Sequence, residues 1–572
     1  MDRLAAILTS SWEPLVASAM LLGILCHQAI RPFEVDSRGW ELVITFLSIV
    51  SGILVGFILS ADFGLADAIM QAWSAGMAFL VGLFGSIVVY RAFFHRLGRF
   101  PGPFAARLSN LYHFLYMAGT NMQYHLHVQK LHSRYGDFVR TGPRELTITR
   151  ASAVDLIYGP NSKCTKATWY DQNSADPDKV GIENVRDKAK HGTRRKPWDK
   201  GLGFRALPTY EGRVKDKVDQ LITRFGSGKP VNVVQDNIFY AWDVMGDIAF
   251  SMQFNMLKTG IEHPAVDGLH WAMATAGLVT TLPWLMNMLR VIPGATGKFE
   301  NFASWCYEQV KLKQDQLALE KATNKSRPAN DVMSWIIQAQ QAGDRKVSPD
   351  RLSTHPLHLQ ASRTDNLGLL SDTVGIAFSN FLYFMVKYPE VYRKLQRIVE
   401  AVFPGGYDTW TYDKAKSIPY LDYLIHETLR LRPPVPMGFL RQTPPEGLQI
   451  DEVYIPGNVN VNVHTWTIHR DERYFKRAED FLPERWETLS PDAAGSAYLP
   501  FQKGGFACVG KPVAMMQLRM LISCVALRYD IDFAPGENGV EFWSDSKETL
   551  TLAIGPLWLV FTPKKVITAD GK

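Results

Sequence analysis

Three long apolar stretches open the chain, at residues 14–30, 42–61 and 68–94. Each is near the ~20 residues an α-helix needs to cross a bilayer. The first could be a cleavable signal, but two more stretches follow it and its leading segment carries only Arg3, so three membrane spans are the preferred reading. Arg31 and Arg38 lie between the first two stretches, and Arg91, Arg96 and Arg99 follow the third, whereas the loop around Asp62 and Asp67 has no Lys or Arg. By the positive-inside rule the body of the protein then faces the cytosol. The next segment, Phe100-Pro101-Gly102-Pro103-Phe104, cannot continue a helix and predicts a hinge.

Beyond the hinge the pattern is mostly helical. Residues 112–142 are amphipathic and lead into a short strand at 145–150, where Thr and Ile favour extended backbone. Residues 171–203 are polar and strongly charged, and 205–330 alternate helical patterns with turns at Gly260, Pro264, Pro293-Gly294 and Pro328. The mostly apolar run 278–292, broken by Pro283, suits either the core or a membrane surface beside a substrate entrance, with core packing preferred. Residues 367–387 and 513–527 are apolar nearly all round, as helices buried in a large domain are. The sequence thus predicts a mainly α fold with a minor β region behind N-terminal transmembrane helices: a membrane anchor at 1–99, a hinge at 100–104 and a catalytic domain at 105–572.

Composition narrows the setting. With 572 residues, 47% hydrophobic content and 15 Trp, the chain has ample material for a core, which excludes a disordered protein. The net charge of +6 belongs to the part after residue 100, because the first hundred residues hold six Lys/Arg against seven Asp/Glu. Five cysteines (26, 164, 306, 508 and 524) include no Cys-x-x-Cys pair, which argues against a disulfide framework or structural zinc and for a reducing compartment.

Four groups of residues carry candidate chemistry. Cys508 stands in a glycine-flanked turn, Phe501 to Gly510, just ahead of the 513–527 helix, where the free N–H groups and the helix dipole favour an acidic, metal-binding thiol. Gly504, Gly505 and Gly510 allow close approach to a flat ligand on which Phe501 can pack; the plainer alternative is an inert buried thiol. His191 and Arg195, four apart on one helix face, lie within seven Lys/Arg at 186–200, a cluster that also reads as a solvated face; nucleic-acid binding is disfavoured because few aromatics are interleaved. Ser371, Asp372 and Thr373 form a polar island near the start of an apolar helix, either as its cap or as a working group. Glu427 and Arg430 are three apart at 420–431, followed by Pro433-Pro434, an extended 459–463, His469-Arg470-Asp471 and the segment Phe481 to Trp486.

These motifs, in this order, resemble the cytochrome P450 family over about residues 100–565. Residues 501–510 look like its Phe-x-x-Gly-x-Arg-x-Cys-x-Gly loop, with Phe506 in place of the arginine. The resemblance implies haem b (iron protoporphyrin IX) with Cys508 as axial iron ligand, and Phe501, Gly504, Gly510, His191, Arg195, Glu427, Arg430 and Arg485 as haem-binding or loop-supporting residues. Asp372 and Thr373 fall on the acid and threonine that relay protons to dioxygen, although Leu369 and Leu370 replace the small residues expected before them. It further implies a monooxygenase fed from NADPH through a partner reductase, acting on a hydrophobic small molecule shaped by residues 436–440 and 549–554, at the endoplasmic reticulum membrane. The spans and the Arg31-Pro32-Phe33-Glu34 stretch are similar to fungal secondary-metabolite enzymes such as tryprostatin hydroxylases. A haem-thiolate isomerase or dehydratase working without a reductase, and a non-catalytic membrane haem protein, are the alternatives.

Overall fold

The computed structural model describes residues 12–564 apart from 34, 36–37, 61–63, 174–179, 290–291, 296, 324–327 and 345–365. Three helices come first: α1 (Trp12–Ile30), α2 (Gly39–Ser60) and α3 (Leu65–Val89). All three are long and apolar enough to cross a membrane, the third together with the π-turn Tyr90–Phe94 that extends it. In lipid there is no hydrophobic drive to bring helices together, so close backbone packing has to do it. Gly23 of α1 and Gly82 of α3 provide that closeness: a Cβ on Gly82 would lie 2.0 Å from the Met20 carbonyl oxygen, and one on Gly23 2.1 Å from that of Phe79. His27 Nδ1 and Ser86 Oγ meet 2.8 Å apart across the same seam.

The segment after these three helices is fastened to the domain that follows. The Arg140 N–H donates to the Pro101 carbonyl at 2.8 Å, and Gly102 passes so near that a Cβ there would be 2.3 Å from the Arg140 carbonyl oxygen. Arg140 belongs to β1 (Phe138–Gly142), the edge strand of a five-stranded sheet completed by β2 (Glu145–Ile148), β3 (Thr165–Lys166), β4 (Arg441–Gln442) and β5 (Asn460–Val463). The spatial order is β1-β2-β5-β4-β3; only the β2–β5 pair is parallel, joining segments more than 300 residues apart in sequence. The short strand expected at 145–150 is β2.

Helices make up the rest of the core. Those that build the site are α4 (Lys188–Leu202), α5 (Val233–Phe250), α6 (Pro264–Val279), α7 (Pro283–Leu289), α8 (Asn366–Lys387), α9 (Pro419–Leu431) and α10 (Lys511–Arg528). Along α8, residues 374–385 are all buried, as the run of apolar residues requires. Gly375 lets α5 come close: an added Cβ would be 2.9 Å from the Asn237 carbonyl oxygen, and the Asn237 amide donates to Ser379 Oγ at 2.9 Å. Because α8 starts at Asn366, Asp372 lies inside the helix and does not cap it. The side chains of Leu369, Leu370 and Ser371 lie outside the described residues.

One expectation is corrected. For 278–292 core packing is preferred; Thr280 and Leu282 are buried, but no residue of α7, which follows them, is. Its residues line the cavity described below and rest against α6, the 168–173 turn and α2, and Trp284 is 44% exposed.

Candidate functional site

A cavity of about 640 Å³ penetrates the helical domain, and Cys508, Phe501, Gly510, His191, Arg195 and Thr373 are all on its wall. The cysteine loop is held open to it by backbone contacts. The Cys508 N–H donates to the Phe501 carbonyl at 2.8 Å, closing the turn. Gly504 has φ +65°, and a Cβ there would be 2.4 Å from the Tyr158 carbonyl oxygen, so only glycine suits the position. Gly510 caps α10, with Pro512 in its first turn where no amide hydrogen is needed. The surface that Cys508 leaves open lies on the cavity wall, and the protein packed around it still desolvates the thiol.

The acidic thiol expected from the helix terminus is not what the surroundings produce. Burial pushes the Cys508 thiol above its ordinary value; the Gly510 and Lys511 amides and the Arg195 and Lys511 charges pull the other way, as the helix argument requires, but they do not prevail.

Phe506 is the centre of a cationic cluster. Its ring meets His191 edge-on at 4.6 Å, with Lys166 Nζ 4.7 Å and Arg441 Cζ 5.0 Å from its centroid. Arg195 donates to the Gly505 and Ala507 carbonyls on either side of it and to Asp199 Oδ1 at 3.0 Å. Burial, then the Lys166, Arg195 and Arg441 charges, hold His191 down at about 3, so its ring is neutral at physiological pH. Burial and the same neighbouring guanidiniums lower Lys166 to about 7. Arg441 is buried and its Nε has no hydrogen-bond partner among the described residues. Lys166 Nζ donates to the Ile182 and Glu183 carbonyls (3.0 and 2.6 Å), so the Arg441 Nε is the donor left over, and a cluster of this charge suits an anionic ligand. The sequence reading missed Lys166 and Arg441; each is an isolated basic residue on a two-residue strand, and only the sheet brings them together.

Beneath the loop, Glu427 of α9 is fully buried and saturated. Arg430 reaches it from Nη2 and Nε (2.8 and 2.9 Å), Arg485 from Nε (3.0 Å), the Leu482 amide at 2.8 Å and the Trp486 indole at 3.0 Å. Arg430 also donates to the His469 and Ala478 carbonyls. His469 continues the chain of bonds toward the cysteine loop: its Nδ1 donates to the Arg430 carbonyl (3.1 Å), and its Nε2 accepts from the Leu499 amide (3.1 Å). Burial and the Arg430 charge hold His469 at about 3, as this neutral tautomer requires.

On α8 the polar pair divides. Thr373 is on the cavity wall with Val374 and Ala377, whereas Asp372 is buried away from it. The Asp372 carboxylate accepts from the Trp242 indole of α5 at 2.8 Å and faces His270 Nε2 of α6 at 3.3 Å. His270 Nδ1 meets Glu262 Oε1 at 2.9 Å. Burial pulls His270 down, but hydrogen bonds and charge from Asp372 and Glu262 raise it to about 10, so it is an imidazolium at neutral pH.

The remaining wall is largely apolar. Residues 435–440 and Leu550 and Thr551 contribute to it, as do Trp284, Met286 and Leu289 of α7. Leu550 has φ +87°, a conformation a leucine rarely adopts.

Residues 101–555 match the family model for cytochrome P450. The chain belongs to the cytochrome P450 family. Among its relatives, "Cytochrome P450 monooxygenase eupD" of Phoma sp is 61% identical over 292 residues, which is 51% of this chain and all of that protein. "Cytochrome P450 monooxygenase FCK2" of Fusarium pseudograminearum is 35% identical over 554 residues, 95% of this chain and 97% of the relative. "Cytochrome P450 monooxygenase orf5" of Eupenicillium brefeldianum is 37% identical over 487 residues, 84% and 94% of the two chains. The protein is accordingly a haem-thiolate monooxygenase, which works with a redox partner on a hydrophobic substrate. The cavity fits haem: a cysteine on its wall, glycine turns beside it, and a cationic cluster with a donor to spare for the carboxylates.

Proposed function

We propose that Cys508 is the axial iron ligand of haem b, and that Lys166, His191, Arg195 and Arg441 hold its propionates. The observation that carries this is the cluster around Phe506, where Arg441 Nε lacks a partner and the Lys166 proton is loosened. Lys166 and Arg441 take over the task left vacant by the arginine that Phe506 replaces. Phe501, Gly504 and Gly510 shape the loop, and Glu427, Arg430 and Arg485 fix the backbone beneath it. When bound, the haem activates dioxygen with two electrons; the chain's own residues position the substrate, exclude water and move protons.

Proton delivery falls to Thr373, whose side chain reaches the cavity, and to Asp372 beside it. The electrons come from NADPH through cytochrome P450 reductase, an acidic partner drawn by the basic face around α4. Residues 1–99 anchor the enzyme in the endoplasmic reticulum membrane as a multi-pass segment, 100–104 connect, and the catalytic domain from 105 onward lies in the cytosol. The substrate is a lipophilic secondary metabolite, in keeping with the apolar wall.

The test is the carbon monoxide difference spectrum of the reduced, full-length protein, with NADPH-dependent oxygen consumption measured beside it. A red-shifted thiolate band that is lost in Cys508→Ser is expected. A thiolate band that survives in Cys508→Ser refutes the ligand assignment, and turnover of substrate without NADPH or reductase refutes the monooxygenase cycle.

A further inference from the structure

The wall of the cavity includes the cysteine loop, Trp284, Met286 and Leu289 of α7, Arg91 at the foot of the third span, and Asn110. No residue of α7 is fully buried; the helix rests against the 168–173 turn and α6 of the catalytic domain on one side and against the second span on the other. Trp40, in the first turn of α2, donates its indole N–H to the Met288 carbonyl at 2.9 Å. That carbonyl belongs to the last turn of α7, where helix carbonyls lack an internal donor. Gly39 seats the Met288 side chain: a Cβ at Gly39 would be 2.9 Å from Met288 Cγ. An indole at the end of a spanning helix is also where its apolar ring and polar N–H are both satisfied, at the membrane–water boundary. The helix that walls the cavity on one side is therefore fastened to the membrane anchor on the other.

We infer that the second membrane-spanning helix is a structural part of the cavity entrance. Gly39 and Trp40 hold α7 at the membrane surface, and the ligands admitted past it are lipophilic molecules already dissolved in the bilayer. The nature of the ligand rests on the proposed function above; the hold of α2 on α7 does not. Displacing α7 requires breaking the Trp40–Met288 bond and lifting Met288 off Gly39, so this contact is part of what sets how readily the entrance opens.

Full-length protein in phospholipid nanodiscs provides the test, with Trp40→Phe removing the donor while keeping an aromatic ring and Gly39→Val pushing Met288 away. Association of clotrimazole, which partitions into lipid, is followed by stopped-flow absorbance, with water-soluble imidazole as comparison; amide exchange over 283–289 is measured in parallel. Both variants are expected to speed α7 exchange and to raise the clotrimazole association and dissociation rates roughly fivefold, the scale of one hydrogen bond, leaving imidazole rates unchanged. Unaltered α7 exchange overturns the inference, as does an equal change for both azoles, which would place the effect inside the cavity and not at its membrane entrance. Should the protein bind neither azole, the haem reading fails, and α7 exchange, which needs no haem, still decides whether α2 holds α7. If Gly39→Val does not fold, Trp40→Phe decides alone.

Discussion

Replacing Glu427 by alanine tests the support beneath the cysteine loop, because its cost can be worked from the contacts. Two guanidiniums, Arg430 and Arg485, lose the carboxylate they share, and Arg430 is itself fully buried. Stranding a buried charge in this way costs about 3–5 kcal/mol. The Leu482 amide and the Trp486 indole each lose an acceptor as well, at about 1–3 kcal/mol apiece where no water replaces it. The sum approaches the whole net stability of a typical domain, about 5–15 kcal/mol. Glu427→Gln keeps the shape and one acceptor oxygen, but turns an amide NH₂ toward existing donors, and is expected to cost about 3 kcal/mol as one of the paired charges goes unanswered. Solubilised yield, melting temperature and bound haem per chain are the measurements. The expected order is parent above Glu427→Gln above Glu427→Ala, the last with almost no folded, haem-loaded protein. If the alanine variant accumulates like the parent, with the parent's melting temperature and haem content, the reasoning about the buried carboxylate is wrong.

Other substitutions read the site from different sides. Gly504→Ala forces a side chain into a left-handed backbone position 2.4 Å from the Tyr158 carbonyl oxygen; a loss of more than about 1 kcal/mol is expected, seen as a lower melting temperature and lower haem retention. Thr373→Ala should leave folding and haem content near parental values while raising hydrogen peroxide formed per NADPH consumed in a reductase-coupled assay; unchanged coupling counts against Thr373 as a proton donor. For Lys166, the folded value of about 7 lies below the ordinary 10.5, so between those limits the unfolded chain binds the extra proton and the haem-free protein gains stability as pH rises. Lys166→Met should therefore stabilise the haem-free protein, most clearly below pH 7, flatten this part of its melting curve against pH, and speed haem loss from the loaded protein. Parallel pH curves for parent and variant would contradict this.

Much of this was legible in the sequence wherever the signal was local. The turn at 501–510 announces itself by glycine spacing beside an apolar helix, and Glu427, Arg430 and Arg485 by their order around the prolines. What escaped was non-local or a balance of opposed effects. Lys166 and Arg441 meet only because β3 pairs with β4, and two-residue strands have no readable period. The thiol of Cys508 was expected to be acidic because a helix terminus is visible in sequence, whereas the desolvation that outweighs it is a property of the folded surroundings. The run 283–289 is as apolar as a core helix, and composition alone does not distinguish protein, cavity and lipid as its neighbours.

The adjacency of Asp372 and Thr373 illustrates a constraint that the sequence already contained. Successive residues on an α-helix point about 100° apart; with Thr373, Val374 and Ala377 on the cavity face, Asp372 falls outside that arc, and α8 turns its carboxylate toward Trp242 and His270. The Asp372 carboxylate is thereby occupied by the Trp242 indole and His270 and does not reach the cavity. On the proposed proton path the hydroxyl of Thr373 is thus the group at the cavity, and Asp372 contributes only after exchanging His270 and Trp242 for water. Since His270 sits on α6, which lines the cavity with residues between Leu269 and Val279, the position of that wall and the availability of the acid are set by the same ion pair.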